Sequence, residues 1–284
     1  MYKIGLSTNG KIICEELFEN YSKAGITQME ISVKPTDYAS INYAQIKEWA
    51  HKYNITLWAF HLPFMPFDEL DISRADTCKA TINYHEELIK KASDIGIDKF
   101  VIHPSGEPIE DIERSERMKY SKESLASLAE FAKKNGAVIA VEDLPRTCLG
   151  KNSDEIAELI SVHDNLKVCF DTNHLLGENP IDFIHKLGNK IITTHISDYD
   201  FTDEKHWLPG EGKLNWQAIL SALKDVSYNG VWLYEISFSC PKTITRSRDL
   251  TCGDFAKNAK ELFENKDITI IKKEKYGVKN NECN

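Results

Sequence analysis

The sequence predicts a single (β/α)₈ barrel. Three observations carry that expectation. Eight short apolar runs alternate with longer amphipathic stretches through a chain of 284 residues. Glycines fall at helix ends shortly before strands. Six successive strands end in a carboxylate or an imidazole. A closed barrel of this class usually takes about 250 residues, so one domain accounts for the length. No Gly-x-Gly-x-x-Gly follows the first run, which weighs against an open dinucleotide-binding sheet.

The strand candidates are residues 2–7, 28–33, 56–60, 100–103, 138–142, 167–171, 192–196 and 231–236. Most are continuously apolar rather than alternating, as expected of parallel strands covered by helices. Helical patterns fill the gaps. Over 15–24, Leu17, Tyr21 and Ala24 share one face; over 115–134, Leu125, Leu128, Ala129 and Ala132 do so. Ser153 is the expected N-cap of the next helix, and Asn215-Trp216 opens another. Gly25, Gly96, Gly136, Gly188 and Gly230 stand where a left-handed residue ends a helix. The barrel is expected to span 1–265. Residues 266–284 form a C-terminal extension, rich in lysine and asparagine, with one apolar patch at 268–271.

Hydrophobic residues make up 42% of the chain, enough for a large core, and the formal charge is −9. An acidic balance gives no support to nucleic-acid or anionic-membrane binding. The opening run stops at Ser7-Thr8-Asn9-Gly10, too short for a membrane span or a secretory leader. The cysteines (Cys14, Cys78, Cys148, Cys169, Cys240, Cys252 and Cys283) form no Cys-x-x-Cys pair. An odd, scattered set points to reduced thiols and a cytoplasmic location. A homo-oligomer is compatible with all of this.

In such a barrel the active site lies at the C-terminal ends of the strands. Strands three and four run into His61 and His103. Strand five ends in Glu142-Asp143, strand six in Asp171-Thr172-Asn173-His174, strand seven in His195-Ile196-Ser197-Asp198 and strand eight in Tyr234-Glu235-Ile236. Any one of these alone is usually a cap, a surface charge or a hydrogen-bonded rim residue. Together they need compensation, because unpaired burial of charge costs several kcal/mol. A divalent cation is the simplest compensation. Three carboxylates and one imidazole, Glu142, Asp171, His195 and Glu235, suit Mn²⁺, Mg²⁺, Co²⁺ or Zn²⁺. Glu30 on strand two is either a further rim residue or half of an ion pair inside the barrel. Trp58, Trp207 and Trp232 are sugar-stacking candidates or plain core.

These motifs resemble the xylose-isomerase-like TIM barrel superfamily, which holds sugar epimerases and isomerases, inosose-converting enzymes and the endonuclease IV family. The resemblance runs to about Asn265. It rests on Glu142, the Asp-x-x-His of Asp171, the His-Ile-Ser-Asp of His195 and the Tyr-Glu-Ile of Glu235. It implies one catalytic divalent metal on those four. His206-Trp207-Leu208-Pro209-Gly210-Glu211-Gly212 resembles the family's His-x-x-x-Gly-x-Gly loop over the active site; it also reads as a Pro-Gly turn opening the next helix.

The activity implied first is isomerisation or epimerisation of a small sugar, ketose, polyol or inosose by proton transfer through an enediolate. Glu142 and Glu235 would be acid and base, and His61, His103, His174 and His206 would bind substrate. Asp143-Leu144-Pro145-Arg146-Thr147 departs from the ketose 3-epimerase pattern, in which a second glutamate and an arginine follow soon after the strand-five ligand. A second implied activity is an endonuclease IV-like phosphodiesterase with additional Zn²⁺. Its ligand positions find counterparts in His61, His103, Glu142, Asp171, His174, His195, Glu204, His206 and Glu235, with Glu204 in place of an aspartate. Against it stand rim loops rich in acid: Asp68, Glu69, Asp71, Glu107, Glu110, Asp111, Asp198, Asp200, Asp203 and Glu204. Lys34, Arg74, Arg146 and Lys205 offer sparse balance, so no nucleic-acid partner is expected. A non-catalytic sugar-binding barrel is the third reading.

Overall fold

The computed structural model describes residues 1–271. Eight βα units follow one another: β1 (Lys3–Ser7), α1 (Glu15–Lys23), β2 (Gln28–Ile31), α2 (Tyr43–Lys52), β3 (Thr56–His61), α3 (Cys78–Ser93), β4 (Lys99–Ile102), α4 (Arg114–Lys134), β5 (Val138–Glu142), α5 (Ser153–Ile160), β6 (Leu166–Asp171), α6 (Pro180–Leu187), β7 (Ile191–His195), α7 (Trp216–Asp225), β8 (Val231–Tyr234) and α8 (Cys252–Phe263). All strand pairs are parallel, and β1 lies between β2 and β8. The barrel closes where Ile196 bridges Tyr234, with the Ile196 amide donating to the Leu233 carbonyl at 2.8 Å.

The main core lies between the strands and the helix ring. Leu125, Leu128, Ala129 and Ala132 of α4 are fully buried there, on the face the sequence pattern assigns. Each such leucine contributes roughly 1.5–3 kcal/mol of burial. The barrel interior is filled differently. Ala59, Val101, Ala140 and Cys169, one each from β3 to β6, form a separate small cluster. Successive strand residues face opposite sides. The residue two further along each of these strands therefore also faces inward, at the C-terminal mouth. Those residues are His61, His103, Glu142 and Asp171. Small side chains below leave room for charged ones above.

Several local expectations shift. The N-cap of α5 is Asn152, whose side chain accepts from the Glu155 amide at 2.9 Å; Ser153 is the first helical residue. An asparagine cap is worth about 1 kcal/mol. Gly25, Gly96, Gly136 and Gly188 have positive φ as expected, but the chain leaves α7 through Ser227, at φ 57°, and Gly230 has no such conformation. Beyond α8, Thr269 donates to Glu261, and the Ile268 side chain covers Gly210. That part of the apolar patch is therefore packed on the barrel. The lysine-rich 272–275 stretch lies outside the described residues. Among the described residues no helix is long and apolar enough to cross a membrane, and the six described cysteines are all free.

Candidate active site and metal centre

Donor atoms of Glu142, Asp171, His195 and Glu235 lie within 4.8 Å of one another. His195 Nδ1 is the hub. It stands 2.9 Å from Glu142 Oε1, 3.3 Å from Glu235 Oε2 and 3.8 Å from Asp171 Oδ2. Register explains part of this, since Asp171 and His195 are direct partners across β6 and β7. Two further donor groups adjoin the first. His61 Nε2 and His103 Nε2 approach Glu142 Oε2 at 3.1 and 3.2 Å. Glu204 Oε1 lies 3.2 Å from His174 Nε2 and 3.4 Å from His206 Nε2. The nine positions named above thus gather into three adjoining sets.

The orientation of each ring follows from the hydrogen bond on its far side. His61 Nδ1 donates to the Leu62 carbonyl and His174 Nδ1 to the Asp143 carbonyl, both at 2.8 Å; His206 Nδ1 donates to the Glu235 carbonyl at 3.3 Å. Their Nε2 atoms therefore face the cluster, His61 toward Glu142 and both His174 and His206 toward Glu204. His195 is reversed. Its Nε2 meets Glu30 Oε2 at 3.0 Å, and Nδ1 faces inward.

Charge is concentrated here. Burial alone would raise the Glu142 carboxyl, but His195 and His103 outweigh it and hold it well below the usual range. Burial pushes Asp171 up, and repulsion from Glu142 and Glu235 adds to that against the pull of His174. Asp143 is raised well above its ordinary value, by burial and then by the neighbouring Asp171. Glu204 is lowered despite burial, because His174 and His206 bond to it.

Above the centre opens a cleft of about 340 Å³. His103, His174, His206, Glu142, Glu204 and Glu235 line its polar side. Phe64 and Phe67 line its apolar side, and Phe64 stacks on His103 at 3.9 Å between ring centres. His61 lies behind Glu142, 1% exposed, and is not part of the lining. Glu30 belongs to the barrel interior rather than the rim. The tryptophans take the core role: Trp232 packs on Tyr2 and Phe263, Trp58 donates to Thr193, and Trp207 donates to Thr243. The aromatic wall comes instead from the β3–α3 loop, whose Phe64-Met65-Pro66-Phe67 run carries no strand or helix signal. Arg146, at φ 53°, bonds to Glu107, Asp203 and Glu204, tying together the loops after β4, β5 and β7. Glu155 is committed to Arg114 and does not replace the glutamate missing after Glu142.

The His206–Gly212 loop rests on Asp198. That carboxylate accepts from the amides of Gly210 and Leu214 and from Trp216 Nε1, at 2.8, 3.2 and 2.9 Å. Asp198 is thus an internal anchor, not a rim charge. Asp71 is likewise buried, held by Ser73, Arg117 and the Gly106 amide.

The xylose isomerase-like TIM barrel family model matches residues 18–250. An uncharacterized protein of Methanocaldococcus jannaschii is 27% identical over 223 residues, 75% of this chain and 75% of its own length. D-psicose 3-epimerase of Ruminiclostridium cellulolyticum is 26% identical over 228 residues, 75% of this chain and 74% of its own. The crystal structure of a D-tagatose 3-epimerase-like protein superposes with a TM-score of 0.79 at 25% identity, covering 92% of this chain and 97% of that one. With the barrel, the strand-end carboxylates and imidazoles and the family match in agreement, the chain belongs to the xylose isomerase-like TIM barrel family.

Proposed function

We propose that this chain is a divalent-metal-dependent isomerase or epimerase of a small sugar, ketose or inosose. The observation that carries the reading is the pair Glu142 and Glu235, flanking one imidazole beneath a cleft sized for a single small molecule. The likeness to D-psicose 3-epimerase and to a D-tagatose 3-epimerase-like protein supports it.

The residues fit a metal. Glu30, Glu142 and Asp171 are fully buried, Glu235 is largely so, and all four surround His195. Asp171 Oδ2 is buried without a hydrogen-bond partner. Such a set needs added positive charge. Glu142, Asp171, His195 and Glu235 would hold Mn²⁺, Mg²⁺, Co²⁺ or Zn²⁺. When bound, such an ion supplies Lewis acidity to a substrate oxygen, which makes the adjoining carbon acid stronger. Glu142 and Glu235 serve as base and acid: one takes the carbon-bound proton, an enediolate forms, and the same or the opposite carboxylate returns a proton. His103, His174 and His206 donate to or accept from substrate hydroxyls, with His61 supporting Glu142 from behind. Phe64 and Phe67 cover an apolar sugar face and exclude water.

The test is turnover in D₂O with ketoses and inososes in the presence of Mn²⁺. One solvent deuterium should appear on carbon per turnover, and Glu235→Gln should lower kcat by ~10²-fold or more, with metal content measured alongside. Turnover without exchange, and with Glu142→Gln and Glu235→Gln both as active as wild type, would sink the proton-transfer reading.

A second reading rests on the three adjoining donor sets. His61, His103 and Glu142, and separately His174, Glu204 and His206, would take additional Zn²⁺, as in hydrolytic phosphodiester chemistry. The crowded, acid-lined mouth favours the small neutral sugar.

A further inference from the structure

We infer that Glu30 is a positioning residue that makes His195 ligate through Nδ1 and makes the Glu142–Asp171–His195–Glu235 set the tightest of the three donor sets. The inference rests on the metal-binding reading above and adds the residue that ranks the sites.

Sequence and register put Glu30 in place. Met29 and Ile31 face the helix ring and are fully buried in the main core. Strand alternation therefore turns Glu30 into the barrel, and it pairs with Ser7 across β1 and β2. Its side chain crosses the interior to a residue 165 positions away, and both partners are 0% exposed. A carboxylate at that depth, with Oε1 left without any hydrogen-bond partner, is costly to maintain. The hydrogen bond that Oε2 accepts from His195 Nε2 is its one strong compensation.

The other oriented imidazoles of the site lean on neutral backbone carbonyls. Only His195 leans on a carboxylate. A carboxylate behind an imidazole fixes the tautomer, as a carbonyl does, and also increases the electron density the opposite nitrogen donates. It brings a negative charge toward the cation as well, at a depth where water does not screen it. The central set thus has three carboxylates in direct reach and a fourth one ring away. The flanking sets, His61–His103–Glu142 and His174–Glu204–His206, have one carboxylate each.

The experiment is a titration of metal-free full-length protein with Co²⁺ and Zn²⁺ against a chromophoric chelator, with the visible Co²⁺ absorption as a second readout. Wild type should fill one site first. Glu30→Met, close in volume, should weaken that first site by ~10–100-fold, the range typical of losing such a supporting carboxylate. Any weaker sites should keep their affinities. Glu30→Gln retains an acceptor without the charge and should fall between the two. It also serves as the variant to read should the methionine variant fail to fold. A first-site affinity within twofold of wild type in Glu30→Gln, and in any folded Glu30→Met, would overturn the role of Glu30 while leaving the metal centre standing. No metal uptake by wild type would overturn both.

Discussion

Glu142 Oε1 and His195 Nδ1 lie 2.9 Å apart although their strands, β5 and β7, are separated by β6. Only the curvature of a closed barrel brings the two side chains together over the strand between them. If these atoms and their neighbours hold one divalent ion, removing both should empty the site. Elemental analysis of the Glu142→Gln/His195→Ala double variant should find the metal content per chain near zero after dialysis, against near one for wild type. Circular dichroism should confirm that the variant is folded, since loss of His195 leaves the buried Glu30 carboxylate unpaired, which costs about 3–5 kcal/mol. Full metal retention in the folded double variant would remove these two from the ligand set.

The mouth of the barrel was legible because apolar strands run into a carboxylate or an imidazole, which is a local feature of each strand. The structure adds that an inward Ala59, Val101, Ala140 or Cys169 stands two residues before His61, His103, Glu142 or Asp171. What was not legible is what depends on the closed shape. Glu30 meets His195 across the barrel, and no local pattern encodes a pairing over 165 residues. Arg146 finds its partners on loops after β4 and β7, whose paths are set by packing rather than by periodicity. Asp71 and Asp198 look like rim charges in sequence but spend their carboxylates on internal amides and side chains.

His85, on α3, ties the site to stability. Its Nε2 donates to the Pro63 carbonyl at 2.9 Å, and its Nδ1 is buried without a partner. Burial lowers its pKa to about 4 from 6.5, with His61 adding to the effect against the Pro63 bond. The folded form thus binds this proton more weakly than the unfolded chain. The stability that results is fully present above pH 6.5 and is lost as pH falls toward 4, at about 1.4 kcal/mol per unit. Urea denaturation of the chelator-treated protein should show that slope, and His85→Gln should flatten it by about that amount. An identical pH dependence in the two proteins would refute the assignment.

Gly212 is where the His206 loop meets its anchor. A Cβ there would stand 2.2 Å from Asp198 Oδ1 and 2.4 Å from the Tyr199 carbonyl oxygen. Neither can yield without breaking the Asp198 network. Gly212→Ala should cost about 1–3 kcal/mol, as overpacking does, and should displace His206 along with the loop. The expected readout is a raised KM with metal content unchanged, together with a lower urea midpoint. Wild-type stability would mean that the loop absorbs the methyl group and is not held by Asp198.

The last prediction separates sugar chemistry from phosphodiester chemistry. The chain should not incise abasic-site DNA at a meaningful rate, even with Zn²⁺ present. A duplex-binding surface must offset a dense line of phosphates with lysines and arginines. At this mouth Arg146 is already held by Glu107, Asp203 and Glu204, and Arg74 by Asp76. Asp68, Glu69, Glu110 and Asp111 remain exposed. Even with Asp71 and Asp198 discounted, the balance facing solvent stays acidic. On the apolar side of the cleft Phe64 stacks on His103, and with Phe67 it leaves a space of about 340 Å³. A neutral sugar meets neither obstacle. The measurement is an abasic oligonucleotide at low salt, with Zn²⁺ and separately with Mn²⁺, and Glu142→Gln as the control. Efficient incision by wild type, abolished in that variant, would make the three-set zinc reading the correct one and displace the isomerase.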